Sequence, residues 1–562
     1  MGEFETKTSL ARTAPTFNLI HAPWLPVRRR SDAVEFIPPW RITDLDDGDP
    51  FVALAWPRPD FNGAAHEFLI GLLSTAAAPV DEGGWEDWWR APPAPDILKD
   101  RFDVVAHAFE LDGPGARFLQ DLDPLEGAED KEVSALLIDA PGKQTLRNNA
   151  DLFVKRGGTA VLGRAAAAMA LFTMNAYAPK GGRGHRVSLR GGGPLTTLVI
   201  ANDTLWGRLW PNVETAEQIR RRATDSALAD DTETVFPWLG LTRTSQNARE
   251  TTPVDIHPLQ VYWGMPRRVR LAFEDAQGRR CGLTGRDDTV VVRTYRTRAY
   301  GINYSEGFLH PLTPYYAPKA GEAKLPMRAR SGGTVYRHWP GIVVQSEDKL
   351  REPAQVIRQA LAERRRDFLW RELRFVAFGF DMNNMKARAW IESETPLLLV
   401  GDQELHDWLE QFIQLVTAGA DKVVQLLTKA VKLALYDRPA EVCGDDYRFL
   451  GERFYRETEQ AFHEELNRLL IESDNAPDPD DPTCQARENW ASVMACAALR
   501  LFDEYAPADG LEERDMHRHV KAHLYLSRAL RGYDKAGRSL FDDNLKIASP
   551  ETATARSQKI IT

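Results

Sequence analysis

The sequence predicts an α+β fold, in which a large, loop-rich N-terminal domain of mixed α/β structure is followed by a C-terminal four-helix bundle. The length of 562 residues exceeds what one ordinary core can organise and allows two to four domains. Apolar residues make up 43% and charged residues 27% of the chain, which is the balance of a soluble globular protein. After about residue 402, short β-like runs give way to long amphipathic stretches.

The N-terminal domain is expected over residues 17–400, after a polar leader at 1–16 that we expect to be disordered. Prolines among the β-forming residues near its start exclude a long helix there. Further along, helical composition predicts helices at 63–77, 96–108 and 159–177. Short β-like runs between Gly and Pro breaks predict strands at 194–200, 289–295 and 341–345.

The four-helix bundle is expected over residues 401–535. Four amphipathic stretches separated by polar turns predict it, at 402–436, 446–473, 485–506 and 511–533. In the second stretch, apolar residues from Tyr447 to Leu469 recur at intervals of three, four and seven residues, which gives the helix one apolar face. Such helices joined by short turns favour an up-down bundle. Residues 536–562 are expected to form a loosely held tail.

The sequence has no feature of a membrane or secreted protein. No apolar run approaches the roughly 18 residues that span a bilayer, and the polar start differs from a signal peptide. We therefore expect a cytoplasmic protein. No CxxC pair occurs, so neither a disulfide framework nor a thiolate zinc site is indicated, and no cofactor is expected. The cysteines are Cys281, Cys443, Cys484 and Cys496.

Positive charge is concentrated in one segment of an otherwise acidic chain. The formal net charge of −10 argues against uniform coating of nucleic acid. Between Lys143 and Arg190, nine Lys or Arg stand against one acid, Asp151, so this segment carries +8 and the remainder −18. Such segregation suits a protein that grips a polyanion at one place and repels it elsewhere. A solvated basic face without a ligand is the alternative.

The segment 178–197, APKGGRGHRVSLRGGGPLTT, interleaves glycines with cations. Glycines let the backbone approach a polyanion closely, and the cations then lie beside it. The pattern predicts a phosphate or groove contact, although a flexible hairpin has the same composition. It lacks the spacing of a P-loop and of a dinucleotide fingerprint. The residues are Lys180, Gly181, Gly182, Arg183, Gly184, Arg186, Arg190, Gly191, Gly192 and Gly193.

Residues 136–158 are predicted to form a long loop that is rich in cations and amides. This combination suits contacts to sugar-phosphate and bases. Loops of this length in compact domains are usually functional or disordered, and a surface loop without a partner is the alternative. The polar residues of interest are Lys143, Arg147, Asn148, Asn149, Lys155 and Arg156.

Two further polar groups accompany predicted strands. Arg296 and Arg298 follow the run 289–295, and alternation places both on one face of a strand. There they could enter a groove of nucleic acid or pair with acids of the same domain, and the sequence leaves both open. The segment 378–394 places Asp381, Asn383, Asn384 and Lys386 at a turn between apolar runs. By itself this is an ordinary polar turn.

The sequence shows no established catalytic motif, such as HExxH or GxSxG. The best metal candidate is the pair His519 and His523, spaced i,i+4 on the last predicted helix with His517 nearby. A metal-dependent hydrolase built on this pair is one alternative function. A solvated helix face is the simpler interpretation.

Several segments together resemble the CasA family, the large subunit of type I-E CRISPR Cascade. They are NLIHAPWLPVR near the N-terminus, then DAPG, APKGGRGHRVSLRGGGPLTTLV, YWGMPRRVRL, GFLHPLTPYY and GFDMNNMKARAWIESE. The resemblance covers nearly the whole chain. It implies a mixed α/β N-terminal domain, a C-terminal four-helix bundle and no catalytic site.

The resemblance also implies a function and partners. Such a subunit of a crRNA-guided complex recognises the protospacer-adjacent motif of target double-stranded DNA, helps open the duplex and recruits a helicase-nuclease. The implied partners are target DNA, the crRNA 5′ end, the small and crRNA-handle-binding Cascade subunits, and the helicase-nuclease. A pure scaffold that contacts only crRNA is a second alternative function.

The resemblance assigns roles to individual residues of this sequence. The motif-binding glycine loop falls on Lys180, Gly181, Gly182, Arg183 and Gly184, and the groove-entering cation falls near Arg298 with Arg296 as its neighbour. The duplex-splitting wedge falls on Asn383, Asn384, Met385 and Lys386. The loop that approaches the crRNA 5′ end falls on Leu137, Lys143, Arg147, Asn148, Asn149, Lys155 and Arg156.

This sequence departs from some relatives in two respects. Where some relatives have a glutamine at the wedge, this turn has Asn384 and Met385. Where some have a cysteine cluster that resembles a zinc knuckle, only Cys281 remains here, so no bound zinc is expected.

Overall fold

The computed structural model describes residues 16–44, 48–149, 159–182, 184–223, 232–368, 373–383, 386–397, 403–442, 447–472 and 481–553. The strands are β1 Leu25–Arg29, β2 Val34–Ile37, β3 Phe51–Leu54, β4 Asp130–Glu132, β5 Leu162–Gly163, β6 Thr196–Ile200, β7 Arg268–Asp275, β8 Val290–Arg298, β9 Tyr315–Tyr316, β10 Leu325–Pro326, β11 Arg351–Glu352, β12 Arg374–Asn383 and β13 Lys386–Pro396. The helices are α1 Pro59–Ala76, α2 Glu82–Arg90, α3 Pro95–Asp103, α4 Lys143–Arg147, α5 Arg164–Tyr177, α6 Leu205–Leu209, α7 Ala216–Arg222, α8 Thr232–Val235, α9 Trp339–Ile342, α10 Gln355–Leu361, α11 Arg365–Phe368, α12 Gln403–Leu435, α13 Arg448–Glu472, α14 Cys484–Tyr505, α15 Glu513–Leu530 and α16 Asp534–Arg538.

The chain divides into two compact units, and neither is continuous in sequence. The first unit comprises residues 1–194, 200–310 and 378–390, and the second comprises 195–199, 311–377 and 391–562. The predicted boundary near residue 400 does not coincide with this division.

Within the second unit, residues well before that boundary pack on the C-terminal helices. Tyr336 lies near the side of α13, where its hydroxyl is 2.9 Å from the Thr458 hydroxyl and its ring stacks on Phe462. The sequence could not place this boundary because the contacts join segments that are more than a hundred residues apart.

The core of the first unit is built around α1 and α5. Phe68 of α1 is fully buried and makes edge-on ring contacts with Trp24, Phe172 and Trp263, among others. The predicted helices at 63–77 and 159–177 are confirmed as α1 and α5. The second begins only at Arg164, because the residues just before it form β5, which pairs with β8.

An antiparallel ribbon of β7 and β8 lies in the first unit. Its register places Arg268 opposite Arg298 and Arg270 opposite Arg296, so the four guanidinium groups share one face. On its other edge β8 pairs with β4, where Asp130 lies opposite Arg296. The predicted strand at 289–295 is confirmed within β8.

The strands β12 and β13 form a hairpin whose parts belong to different units. A three-stranded sheet has the order β13-β12-β6, which confirms the predicted strand at 194–200. The tip of the hairpin, 378–390, belongs to the first unit, and its base belongs to the second. The strand predicted at 341–345 is wrong, because Pro340 and Gly341, with φ of 104° at Gly341, form an irregular helical turn there.

The long C-terminal helices α12, α13, α14 and α15 lie in the second unit. Each presents a buried apolar face, as the sequence periodicity predicts, with α12 in contact with the other three. Among the described residues, no helix has both the length and the apolar character that crossing a membrane requires.

The tail predicted from residue 536 is wrong as far as residue 553. A π-helical turn, Ser539–Leu545, packs on α12, and a Cβ on Gly419 would lie 2.5 Å from the side chain of Leu545. The buried Arg487 guanidinium donates to the carbonyls of Leu545 at 2.6 Å and Lys546 at 3.0 Å. This packing depends on a small residue, Gly419, facing a large one, Leu545, on a distant segment. Periodicity within one segment does not reveal such a pair. The leader lies outside the described residues except for Thr16.

Candidate nucleic-acid interface

The glycine segment, defined as residues 178–193, is open at Gly182 in its first half. The Gly181 amide donates to the His185 carbonyl at 2.9 Å, and the Gly184 carbonyl accepts from the Tyr300 amide at 2.8 Å. Lys180 and Gly182 are exposed, and a Cβ on Gly182 would meet nothing within 4 Å. This half therefore presents backbone and a cation to its surroundings. The predicted residue Arg183 lies outside the described residues.

The second half of the glycine segment packs against protein instead. A Cβ on Gly192 would lie 2.8 Å from Pro179, and one on Gly193, at φ of 63°, would lie 2.2 Å from the Phe380 carbonyl oxygen. Arg190 is 3% exposed and forms an ion pair with the equally buried Glu67 at 2.5 Å. The prediction that these residues face a polyanion is therefore wrong, because the glycines pack against neighbouring residues and Arg190 is buried in an ion pair.

The two predicted arginines lie on the ribbon face and pair with acids. Arg298 lies 3.5 Å from the Asp123 carboxylate and donates to the Glu126 carbonyl, and Arg296 lies 3.0 Å from the Asp130 carboxylate. Both arginine side chains remain 42% exposed. Of the two alternatives left open by the sequence, the structure shows the pairing with acids, and the exposure leaves the groove contact sterically accessible.

The hairpin tip carries the predicted wedge. Asp381 is buried and accepts from Arg388 at 2.7 Å, which ties β12 to β13 just below the tip. Asn383 and Lys386 are exposed at the last described positions of the two strands. Asn384 and Met385, the expected wedge tip, lie outside the described residues.

The glycine segment connects the other two elements within the first unit. Its first half contacts the end of the ribbon that carries Arg298, because Tyr300 bonds to Gly184 and Arg267 donates to the Pro179 carbonyl. Its second half contacts the hairpin tip through Gly193 and the Phe380 carbonyl. Two elements that are far apart in sequence, the ribbon and the hairpin, therefore meet at the glycine segment.

The long loop predicted at 136–158 begins shortly after β4, the strand that pairs with β8. An ion pair of 2.9 Å between the Asp139 carboxylate and the Arg58 guanidinium group anchors the loop. Leu137 is buried, and Arg147 is exposed at the end of α4. Asn148 and Asn149 are exposed just beyond this short helix. The Lys143 side chain, Lys155 and Arg156 lie outside the described part of the chain.

Local charge differs from the sequence expectation for the segment 143–190. Arg164 forms ion pairs with Asp288 at 2.7 Å and with Asp112 at 3.5 Å, and Arg190 forms one with Glu67. In each of these pairs the carboxylate offsets the positive charge of the guanidinium group. The positive excess that faces solvent is thus smaller than the count of basic residues indicates.

Sequence reasoning missed Tyr300 and Arg267, which position this region, and it assigned Arg186 to a ligand although this arginine also positions the region. Tyr300 has φ of 64° and is 42% exposed, and its carbonyl accepts from the Ser245 amide at 3.1 Å. Arg186 donates to the Ser245 hydroxyl at 2.8 Å. Burial lowers the pKa of Arg267 to about 10, which leaves it charged at neutral pH. Proximity of Tyr300 to Arg298 in sequence was the only available signal.

The histidine pair on α15 has structural contacts. The His519 ring lies 2.8 Å from the Ala506 carbonyl oxygen, and both His519 and His523 pack on the Phe502 ring. Within the described ranges, no cluster of three or more His, Cys, Asp or Glu residues is placed to hold a metal ion.

These features define a mixed helix-and-strand protein in which a glycine segment, an arginine-bearing ribbon and a hairpin tip meet. The chain belongs to the family described as CRISPR-associated protein Cse1, whose sequence model matches residues 18–501. The comparison with curated proteins found no match.

Solved structures share this fold. A crystal structure of CasA from Thermus thermophilus is 19% identical, covers 92% of this chain and 99% of its own, and gives a TM-score of 0.66. Cse1 from Acidimicrobium ferrooxidans is 18% identical, with 92% and 98% coverage and a TM-score of 0.65. A chain of a structure titled "CRISPR RNA-guided surveillance complex" is 18% identical, with 91% and 100% coverage and a TM-score of 0.64. The mixed helix and strand content predicted from the sequence is confirmed.

Proposed function

We propose that this chain is a non-catalytic subunit of a crRNA-guided Cascade complex in the cytoplasm. In this role it recognises the protospacer-adjacent motif of target double-stranded DNA, helps open the duplex and recruits the helicase-nuclease. The observation that carries the proposal is the convergence of the glycine segment, the Arg298 end of the ribbon and the hairpin tip in the first unit.

The open half of the glycine segment and Arg298 are the proposed motif contacts. Minor-groove readout is degenerate, so exposed backbone at Gly182 and one or two cations suffice for a relaxed motif preference. Lys180 and Arg296 are the proposed phosphate contacts.

The hairpin tip is the proposed wedge, with Asn383 and Lys386 on its flanks. Insertion of a side chain into the base stack costs a few kcal/mol per step, and pairing of the guide with the target strand offsets this cost. The ion pair of Asp381 with Arg388 would keep the tip stiff enough to separate bases.

The remaining elements have proposed roles in assembly. The loop from Leu137 to Arg156 is proposed to hold the crRNA 5′ end. The four C-terminal helices are proposed to form the four-helix bundle that contacts neighbouring Cascade subunits, which include the small subunit and the subunit that binds the crRNA handle. A chain with the same fold in a structure titled "CRISPR RNA-guided surveillance complex" supports a place for this chain in such a complex.

Target binding by the assembled complex after substitution of Gly182 or Arg298 tests the proposal. Gly182→Asp adds an anion where the structure has open space, so the fold should hold while duplex binding weakens by about tenfold or more. Arg298→Ala removes a groove cation, and we expect about a tenfold loss of affinity. Gel-shift titration with duplexes that carry or lack the preferred motif measures both.

Matched controls come from the same unit. Gly115→Asp adds the same charge at another glycine whose Cβ position is open, and Arg293→Ala removes a half-exposed arginine of β8 that pairs with Glu274. Both controls should bind as wild type does. Wild-type affinity and motif preference in Gly182→Asp and Arg298→Ala would overturn the proposal. Two results together would favour the pure scaffold: loss of crRNA from a complex that lacks this chain, and DNA binding by the full complex that does not depend on the motif.

A further inference from the structure

The acids that hold Arg296 and Arg298 belong to one short segment, defined here as the acidic strap, residues 121–132. Asp123 and Asp130 supply the carboxylates, and Glu126 supplies a carbonyl oxygen. The two arginines are the cations to which the proposed function assigns contact with DNA. The same guanidinium groups are therefore bound by carboxylates of the protein and, under the proposed function, also by DNA.

The acidic strap is fixed in position by its own bonds to the ribbon. The Asp121 amide donates to the Val269 carbonyl at 2.9 Å, and Arg270 donates to the Asp121 carbonyl at 2.9 Å. One Asp123 carboxylate oxygen accepts from the Leu125 amide at 2.8 Å. The Asp123 carboxylate is thus held beside Arg298 by contacts that do not involve that arginine, and Asp130 is held opposite Arg296 by the pairing of β4 with β8.

Asp123 is shared between a buried and an exposed arginine. Its second oxygen lies 3.1 Å from Arg268, which is also held by Asp121 at 2.5 Å, and 3.5 Å from Arg298. If Arg298 leaves, Asp123 keeps its bond to Arg268 and is not left as an unpaired charge. Release of Arg298 therefore costs little free energy. In the free protein, Asp123 stays in position to bind Arg298.

We propose that the acidic strap competes with DNA for Arg296 and Arg298 and so sets an affinity threshold for the duplex. Phosphate oxygens at Arg296 and groove acceptors at Arg298 would take the place of the carboxylates, so a duplex must displace Asp130 and Asp123 to engage the two cations. The free-energy cost of displacing the two carboxylates is the same for every duplex. A duplex with the motif gains further contacts that outweigh this cost, whereas a motif-free duplex does not and dissociates sooner.

This inference rests on the proposed function, and a double-mutant cycle separates the two. Asp123→Asn keeps the oxygen that accepts from Leu125 but removes the negative charge, so the turn should persist. In the assembled complex we expect about two- to fivefold tighter binding of a motif-free duplex, the range of a half-exposed ion pair. In the Arg298→Ala background the same substitution should change affinity by far less. Asp130→Asn with Arg296→Ala repeats the cycle independently.

The control is Asp287→Asn, which removes the same charge from an exposed pair with Arg280 in the same unit and should leave binding unchanged. Thermal melting of each variant checks the fold. Equal tightening by Asp123→Asn with and without Arg298 would overturn the inference, because it would show simple charge repulsion. No tightening while Arg298→Ala still weakens binding would overturn the inference alone. No effect of Arg298→Ala would overturn the inference, and wild-type binding by Gly182→Asp as well would overturn the proposed function with it.

Discussion

The two halves of the glycine segment have similar compositions and opposite surroundings. In residues 178–185, the position beside Gly182 is open and Lys180 is exposed. In residues 186–193, Gly193 lies against a neighbouring carbonyl and Arg190 is buried with Glu67. Gly182 and Lys180 are therefore accessible in one half, whereas Gly193 and Arg190 are closely packed in the other. Composition alone does not distinguish the two uses.

The largest expected contrast concerns the arginines. Arg190→Met leaves the Glu67 carboxylate buried without this cation, while the Tyr177 hydroxyl at 2.5 Å stays bonded to it. We expect a loss of about 3–5 kcal/mol in the free energy of unfolding. Arg298→Ala, at a half-exposed pair, should cost at most about 1 kcal/mol. Urea unfolding followed by circular dichroism compares them, and equal losses would contradict a structural role for Arg190 that the exposed Arg298 lacks.

A smaller contrast concerns the glycines. Gly193→Ala places a Cβ at 2.2 Å from the Phe380 carbonyl oxygen at a positive φ, so we expect a loss of about 3 kcal/mol. Gly182→Ala has open space and should change stability by less than about 0.5 kcal/mol. Melting temperatures of the two variants give the test. A destabilised Gly182→Ala protein would show that the first half is packed as tightly as the second.

The smallest expected effect concerns His185, at the end of the open half. Burial, together with Arg267 and Lys131, lowers the pKa of His185 to about 4. The folded protein then binds fewer protons than the unfolded chain between about pH 4 and 6.5. The stability linked to this group is therefore present above about pH 6.5 and is lost as the pH falls toward 4.

A neutral His185 adds no cation for DNA at physiological pH. The affinity ratio between wild type and His185→Gln should stay constant from pH 6 to 8 in gel-shift titrations. A ratio that favours wild type increasingly as the pH falls would mean that the imidazole is charged at the site.

The sequence predicted those parts of the fold whose signal lies within one segment. Apolar periodicity located α1, α5 and the long C-terminal helices, and alternation placed Arg296 and Arg298 on one strand. It failed where partners are distant. The packing of the turn 539–545 on α12 depends on Gly419, more than a hundred residues away, which no local pattern reports.

The candidate site was predictable in its residue types and not in its pairings. A count of basic residues could not show that Glu67 takes up Arg190, or that Asp123 and Asp130 hold the two ribbon arginines. These partners lie on other segments of the chain, and the register of β4 and β8 explains only the pairing of Asp130 with Arg296. Tyr300 was missed because its role depends on an unusual backbone conformation.

The pairing of β6 with β12 has a consequence for the newly synthesised chain. All five residues of β6 are buried, and its sheet neighbour β12 begins at Arg374. At ribosomal rates of about 5–20 residues per second, β12 emerges on the order of ten seconds after β6. During that interval an apolar strand has an unfilled edge, which is the kind of surface that chaperones capture. We therefore expect the yield of native protein in cells to depend on chaperone supply more than its final stability would indicate.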